Sequence, residues 1–230
     1  MEIRLLNLLE GAREATGLTV IIDVFRAFSL ECYAVENGAA RILPVGDIEQ
    51  AYQLKKEHPD YVLIGEREEK KPKGFDFGNS PSQIREFDFS GKTIVHTTSS
   101  GTQGLVNAVN ADEIITGSFV NAGAIIEYIR RKKPETVSLV GMGYATLYNV
   151  EEDDLCGLYI SNALKGIPND FEKMKEEIRR TSGARFFINE NQHFAPKIDF
   201  ELCLNINRFN FVLKRYIENE ALVLKRIDLS

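Results

Sequence analysis

Residues 92–106, KTIVHTTSSGTQGLV, read as a short apolar strand at Thr93, Ile94 and Val95, a turn of small donors, and then a helix start. A strand handing over to a helix through a tight polar turn is the repeating unit of an α/β fold. The turn consists of Thr97, Thr98, Ser99, Ser100, Gly101 and Thr102. Such a turn can aim several backbone N–H groups and hydroxyls at one point while the helix adds its positive end, so phosphate or another oxyanion is the functional reading. The alternative is that the hydroxyls only cap the helix.

Around this unit, 230 residues with 43% hydrophobic content suffice for a substantial core. No Pro/Gly/Ser-rich linker divides residues 1–230, so a single domain is expected. With 28 Lys and Arg against 34 Asp and Glu, the net charge of -6 argues against nonspecific binding of nucleic acid or anionic membrane. An anionic ligand must then be held by local groups. The start, MEIRLLNLLEGAREATG, lacks the apolar core of a signal peptide, and no later run has the length of a membrane span. Cys32, Cys156 and Cys203 are far apart and odd in number, which suits reduced thiols and a cytoplasmic protein. Three histidines exclude a histidine-rich metal site, so a metal would sit on oxygen ligands, as Mg²⁺ or Mn²⁺ does. A small anionic substrate is the expected partner, and a homodimer is left open.

Residues 18–22, LTVII, form a β-branched run of the kind buried in a parallel sheet, and it ends at Asp23 with Arg26 three residues on. Open α/β sheets bind ligands at the carboxyl ends of their strands, so a metal-binding Asp beside an anion-binding Arg is one reading. A structural Asp–Arg pair closing the turn is the other. The run at 61–64 delivers Glu66 and Arg67 in the same way. Between Glu68 and Ser82 lies a turn-rich loop from which Lys70, Lys71 or Lys73 could reach an anion, or simply meet solvent. Strands are also predicted at 3–6, 41–45, 113–116 and 136–140, with helices at 29–37, from 47, at 103–110, 122–132, from 151 and 170–180. A short helix at 184–189 carries charges read as solvated. Phe200, Leu202 and Leu204 carry apolar side chains, and 210–216 and 222–227 read as closing strands around a turn at 218–220. Gly141 to Gly143 is a lone GxG, a weak sign of phosphate contact. Glu151, Glu152, Asp153 and Asp154 head a helix, where the dipole favours acids, yet four adjacent carboxylates also suit a shared cation. These alternating elements predict a three-layer α/β/α fold with a mixed, largely parallel sheet and a C-terminal β-hairpin.

Taken in order, IIDVFRAFS, IGER, PKGFDFGNSP, TTSSGT, GSFVNA and the EDxxC of Glu152 to Cys156 resemble the 2-phosphosulfolactate phosphatase family. The resemblance covers about residues 18–205, and GFDFGNSP after GER is its most specific part. It implies a Mg²⁺-dependent acid phosphatase converting 2-phospho-3-sulfolactate to 3-sulfolactate, a step in making coenzyme M in methanogens. It extends the site to Asn79, Ser80, Ser118 and Asn121. Ser100 stands where the family's loop has asparagine, and Glu68 and Glu69 replace glycines expected after GER.

Phosphoryl transfer needs charge neutralisation on the non-bridging oxygens, a positioned nucleophile and help for the leaving oxygen. Mg²⁺ is assigned to Asp23, Glu66, Glu152 and Asp153, and the substrate's anionic ends to Arg26, Arg67, Lys73 and the 97–102 turn. Attack by water is favoured over an aspartyl-phosphate at Asp23, because Phe25 occupies the second position of the DxD pattern that haloacid-dehalogenase chemistry would want. A noncatalytic binder of a small phosphorylated or sulfonated acid is the alternative, though it would have no use for acids around the anion site.

Overall fold

Runs of β-branched residues alternating with stretches of helical period fold as alternating strands and helices. The computed structural model describes residues 1–229. It begins β1 (Glu2–Asn7), α1 (Leu8–Glu14), β2 (Leu18–Ile22), α2 (Ala27–Glu36), β3 (Arg41–Pro44), α3 (Ile48–Glu57), β4 (Val62–Gly65), α4 (Pro81–Ile84) and β5 (Thr93–Thr97). It continues α5 (Gly101–Asn107), β6 (Glu113–Gly117), α6 (Ala122–Lys132), β7 (Thr136–Gly141), α7 (Glu151–Lys165), α8 (Phe171–Arg180), α9 (Lys197–Cys203), β8 (Phe211–Glu218) and β9 (Ala221–Asp228). Helix α1 and helix α9 were not foreseen. Within the loop after β4, Phe77 forms an isolated parallel bridge with Ile64.

The strands join one mixed sheet in the order β1, β7, β2, β6, β8, β9, β3, β5, β4. The first four are mutually parallel, as are the last three. The C-terminal hairpin is where the sequence placed it in the chain, but it does not close an edge: it fills the middle of the sheet. Phe211 and Leu213 enter one core and Val212 another, which is the behaviour of an internal strand covered on both faces.

Three antiparallel pairings separate the two parallel groups, so β2 and β5 run in opposite senses within the sheet. Strand twist of ~20–25° per step accumulates to roughly 100–125° over the five steps between them. This coiling swings their carboxyl ends together, and the N–H of Gly101, just past β5, donates to Asp23 Oδ2, just past β2, at 2.9 Å. Asp23 and Glu66 therefore do not share one edge of a single parallel sheet: they end strands of two groups that meet because the sheet coils.

Helices cover both faces. Phe28 of α2 and Leu105 of α5 share a core with Ile21 and Val140 from one group and Ile42, Ile64 and Ile94 from the other. On the opposite face, α6, α7 and α9 pack on Val20, Ile22, Ile115 and Val137. The third cluster sets Ala51 of α3 against Leu43, Leu63 and Val95.

Candidate active site

The acids that follow the strands arrive at one cavity. Asp23, Glu66, Glu152 and Asp153 all line a space of about 320 Å³, enough for a small phosphorylated acid. Each of three carboxylates is fixed by two backbone N–H groups. Asp23 accepts from Ala27 at 3.1 Å and Gly101 at 2.9 Å, Glu66 from Ser99 at 2.6 Å and Glu69 at 2.8 Å, and Asp153 from Val24 at 2.8 Å and Gly143 at 2.9 Å. Gly101 is required by this arrangement, since a Cβ there would stand 2.8 Å from Asp23 Oδ2. Gly143 has φ +65, and a Cβ would meet the Tyr148 carbonyl oxygen at 2.2 Å. The weak GxG signal thus marks a carboxylate clamp.

Burial makes these charges costly. It raises the Asp23 carboxyl to about 7 against the hydrogen bonds from Ala27 and Gly101, and the Glu66 charge adds to the rise. Asp153 is pushed well above the usual carboxylate range by burial and then by Asp23 and Glu152. Burial raises Glu152 as well, opposed by the Arg185 guanidinium.

The turn at 97–102 binds anions in an unforeseen sense: its N–H groups at Ser99 and Gly101 are taken by the protein's own carboxylates, Glu66 and Asp23. Thr98 N–H donates to Thr102 Oγ1, whose hydroxyl donates to the Thr98 carbonyl. Thr98, Ser99 and Ser100 line the cavity; Thr97, Gly101 and Thr102 stand behind it.

Of the two predicted arginines, only Arg26 lines the cavity. Its Nη1 donates to the Phe194 carbonyl at 2.6 Å and to Asp199 Oδ2 at 2.8 Å, with Arg26 and Asp199 both buried, so the structural pair anticipated as the alternative exists, with a different acid. Arg67 is outside the lining and ties strand ends together, donating to the Glu66 and Gly46 carbonyls and to Thr97 Oγ1. Lys73 is exposed and also outside; its carbonyl accepts from the Tyr52 hydroxyl. Asn79 lines the cavity, whereas the Ser80 hydroxyl pairs with that of Ser82. Ser118 and Asn121 form a buried capping box that leads into α6, and the Ser118 hydroxyl meets Ser29 Oγ at 2.6 Å. Their role there is architectural.

Arg185 is the residue that sequence reading missed. It lies on the short 3-10 helix Ser182–Phe187 and lines the cavity. Its Nε is 3.1 Å from Glu69 Oε1 without hydrogen-bond geometry, so this buried donor has no hydrogen-bond partner. Its Nη2 is 3.9 Å from Glu152 Oε1, and its guanidinium lies over the rings of Phe25 and Phe186. The only local signal was an arginine set directly before two phenylalanines. Glu68 and Glu69 complete the lining charges, giving six carboxylates against two guanidiniums.

Among the described residues no group of three or more His, Cys, Asp or Glu side chains stands ready to hold a metal ion. The donors nevertheless fit Mg²⁺. Glu152 Oε2 and Asn79 Oδ1 are buried without hydrogen-bond partners. Carboxylate oxygens that accept one N–H keep a second lone pair, and an oxygen-only set of like charges is what a hard cation binds.

The family model described as 2-phosphosulpholactate phosphatase matches residues 5–216. A probable 2-phosphosulfolactate phosphatase of Thermotoga petrophila is 38% identical over 201 residues, covering 84% of this chain and 86% of the relative. The protein of the same description from Thermotoga maritima is 38% identical over 205 residues, with the same coverages. That of Bacillus subtilis is 28% identical over 214 residues, covering 91% of this chain and 92% of its own.

Proposed function

The chain belongs to the 2-phosphosulfolactate phosphatase family of phosphoric monoester hydrolases, and on that premise we propose that it cleaves 2-phospho-3-sulfolactate to 3-sulfolactate and phosphate, with Mg²⁺ as cofactor. The observation that carries this reading is the cavity at the joined strand ends, where mutually repelling buried carboxylates stand beside hydroxyls and a guanidinium donor without a hydrogen bond. Asp23, Glu66, Glu152 and Asp153 would hold Mg²⁺, with Asn79 close by. When bound, the ion supplies positive charge against the phosphoryl oxygens.

Asp23 is central, coupled by charge to both Glu66 and Asp153. Burial holds Asp23 partly protonated near neutrality in the metal-free chain, so the ligand set would ionise as it takes up the ion, and the proton of an attacking water would pass to solvent. Water oxygen then bonds to phosphorus, the ester bond breaks, and the leaving oxygen acquires a proton. Ser99 and Ser100 present hydroxyls to the phosphoryl end, and Arg26 fixes the Phe25 to Ser29 turn from behind through Asp199. Three buried free cysteines fit action in the reducing cytoplasm.

Phosphate release from 2-phosphosulfolactate, measured with Mg²⁺ and with excess EDTA, tests this. Turnover that needs the ion is expected. No release under either condition, or release undiminished by EDTA, contradicts it.

A further inference from the structure

Arg67 and Lys70 exchange two backbone hydrogen bonds, each 3.0 Å, around Glu68 and Glu69. Both central residues have positive φ, 52° and 63°. This is the two-residue hairpin turn that favours asparagine and glycine, because side chains meet steric resistance there. Two glutamates in it run against local preference, and such conflicts concentrate where a site needs the side chain. The strained turn places the Glu69 N–H on Glu66 Oε2 at 2.8 Å and the Glu69 carboxylate in the cavity, 3.1 Å from Arg185 Nε.

Arg185 contrasts with the other two arginines of the region. Arg26 and Arg67 donate hydrogen bonds to fixed protein oxygens. Arg185 Nε has only a misaligned charge contact and so is open to a better-placed oxygen. A guanidinium grips a planar or tetrahedral oxyanion through parallel hydrogen bonds, a geometry that Glu69 does not achieve here.

Building on the phosphatase reading above, we propose that Glu69 is a specificity-determining residue: its carboxylate occupies the Arg185 guanidinium in place of the acidic remainder of the substrate, and a sulfonate or carboxylate must displace it to bind. Arg185 then recognises the non-phosphate end, while the phosphoryl group lies against the Asp23 side of the cavity. Glu69 weakens binding of esters that carry a second acid and leaves binding of the phosphoryl group alone unaffected.

The test is equilibrium binding, which needs no turnover and so stands or falls apart from the phosphatase reading. Calorimetric titration with 3-sulfolactate and with inorganic phosphate, both in Mg²⁺, compares the wild-type chain with Glu69→Gln, Arg185→Gln and the double variant. Glutamine keeps the length of the side chain and the demands of the turn. Glu69→Gln should tighten 3-sulfolactate by about ten-fold, the scale of one charge-assisted contact, with phosphate affinity unchanged. In the Arg185→Gln background that gain should vanish. Equal changes for the two probes, no change for 3-sulfolactate, a gain that survives without Arg185, or no 3-sulfolactate binding in any of the proteins would overturn the proposal.

Discussion

The floor and the rim of the cavity are built on different principles. On the floor, Asp23, Glu66 and Asp153 each accept two backbone N–H bonds, so the ends of β2, β4 and β5 and the start of α7 hold the charges where the sheet puts them. At the rim, Arg185 and Glu69 meet from a short 3-10 helix and a strained hairpin turn, by charge contact without hydrogen-bond geometry. Groups held by the backbone cannot rearrange when a ligand arrives, whereas groups held only by each other can exchange partners. The floor therefore suits unchanging chemistry and the rim suits choice of substrate.

The comparison breaks first at Arg26, whose lining position belongs to the rim but whose bonds belong to the floor. Arg26→Ala should destabilise the fold by about 3–5 kcal/mol, because it strands a fully buried Asp199 carboxylate. Denaturant midpoints check this, and a midpoint unchanged from wild type would place Arg26 with the rim. Arg185→Ala should shift the midpoint much less than Arg26→Ala, because its contact with Glu152 is 3.9 Å and not a hydrogen bond, yet lower kcat/KM for 2-phosphosulfolactate by roughly 1.5–3 kcal/mol, mostly through KM. A loss of stability matching Arg26→Ala would erase the distinction. Smallest of all, Glu68→Gly should raise stability by about 1 kcal/mol by relieving the left-handed backbone at φ 52°, read as a higher denaturant midpoint.

The floor was legible because it follows rules of chain order. Asp23 and Glu66 come directly after buried β-branched runs, and Glu152 with Asp153 opens a helix, so each acid could be placed at a strand or helix end before their meeting was visible. The route by which they meet was not legible. Nothing in residues 211–228 says that a C-terminal hairpin sits between two parallel groups, because that depends on which faces Phe211, Val212 and Leu213 find covered. The 97–102 turn was recognised as an anion cradle without sight of which anion it holds, since the acceptors lie 33 and 78 residues away. Arg185 escaped because its significance lies in lacking a hydrogen bond, a property that no spacing encodes.

The central claim is that the buried carboxylates of the floor share a divalent cation, and thermal unfolding as a function of pH reads it most directly. The folded-state pKa of Asp23, about 7, lies above its value of 3.8 without burial, so between those two values the folded chain binds more protons than the unfolded one. In EDTA, this group's contribution to stability should fall as pH rises across that window and level off above it. On the proposed reading Mg²⁺ would bind only the assembled, ionised cluster, so it should raise the melting temperature little near pH 5 and markedly at pH 7–8, increasingly with concentration. A melting temperature at pH 7.5 that is the same in EDTA and in millimolar Mg²⁺, where turnover is measured, would contradict the account.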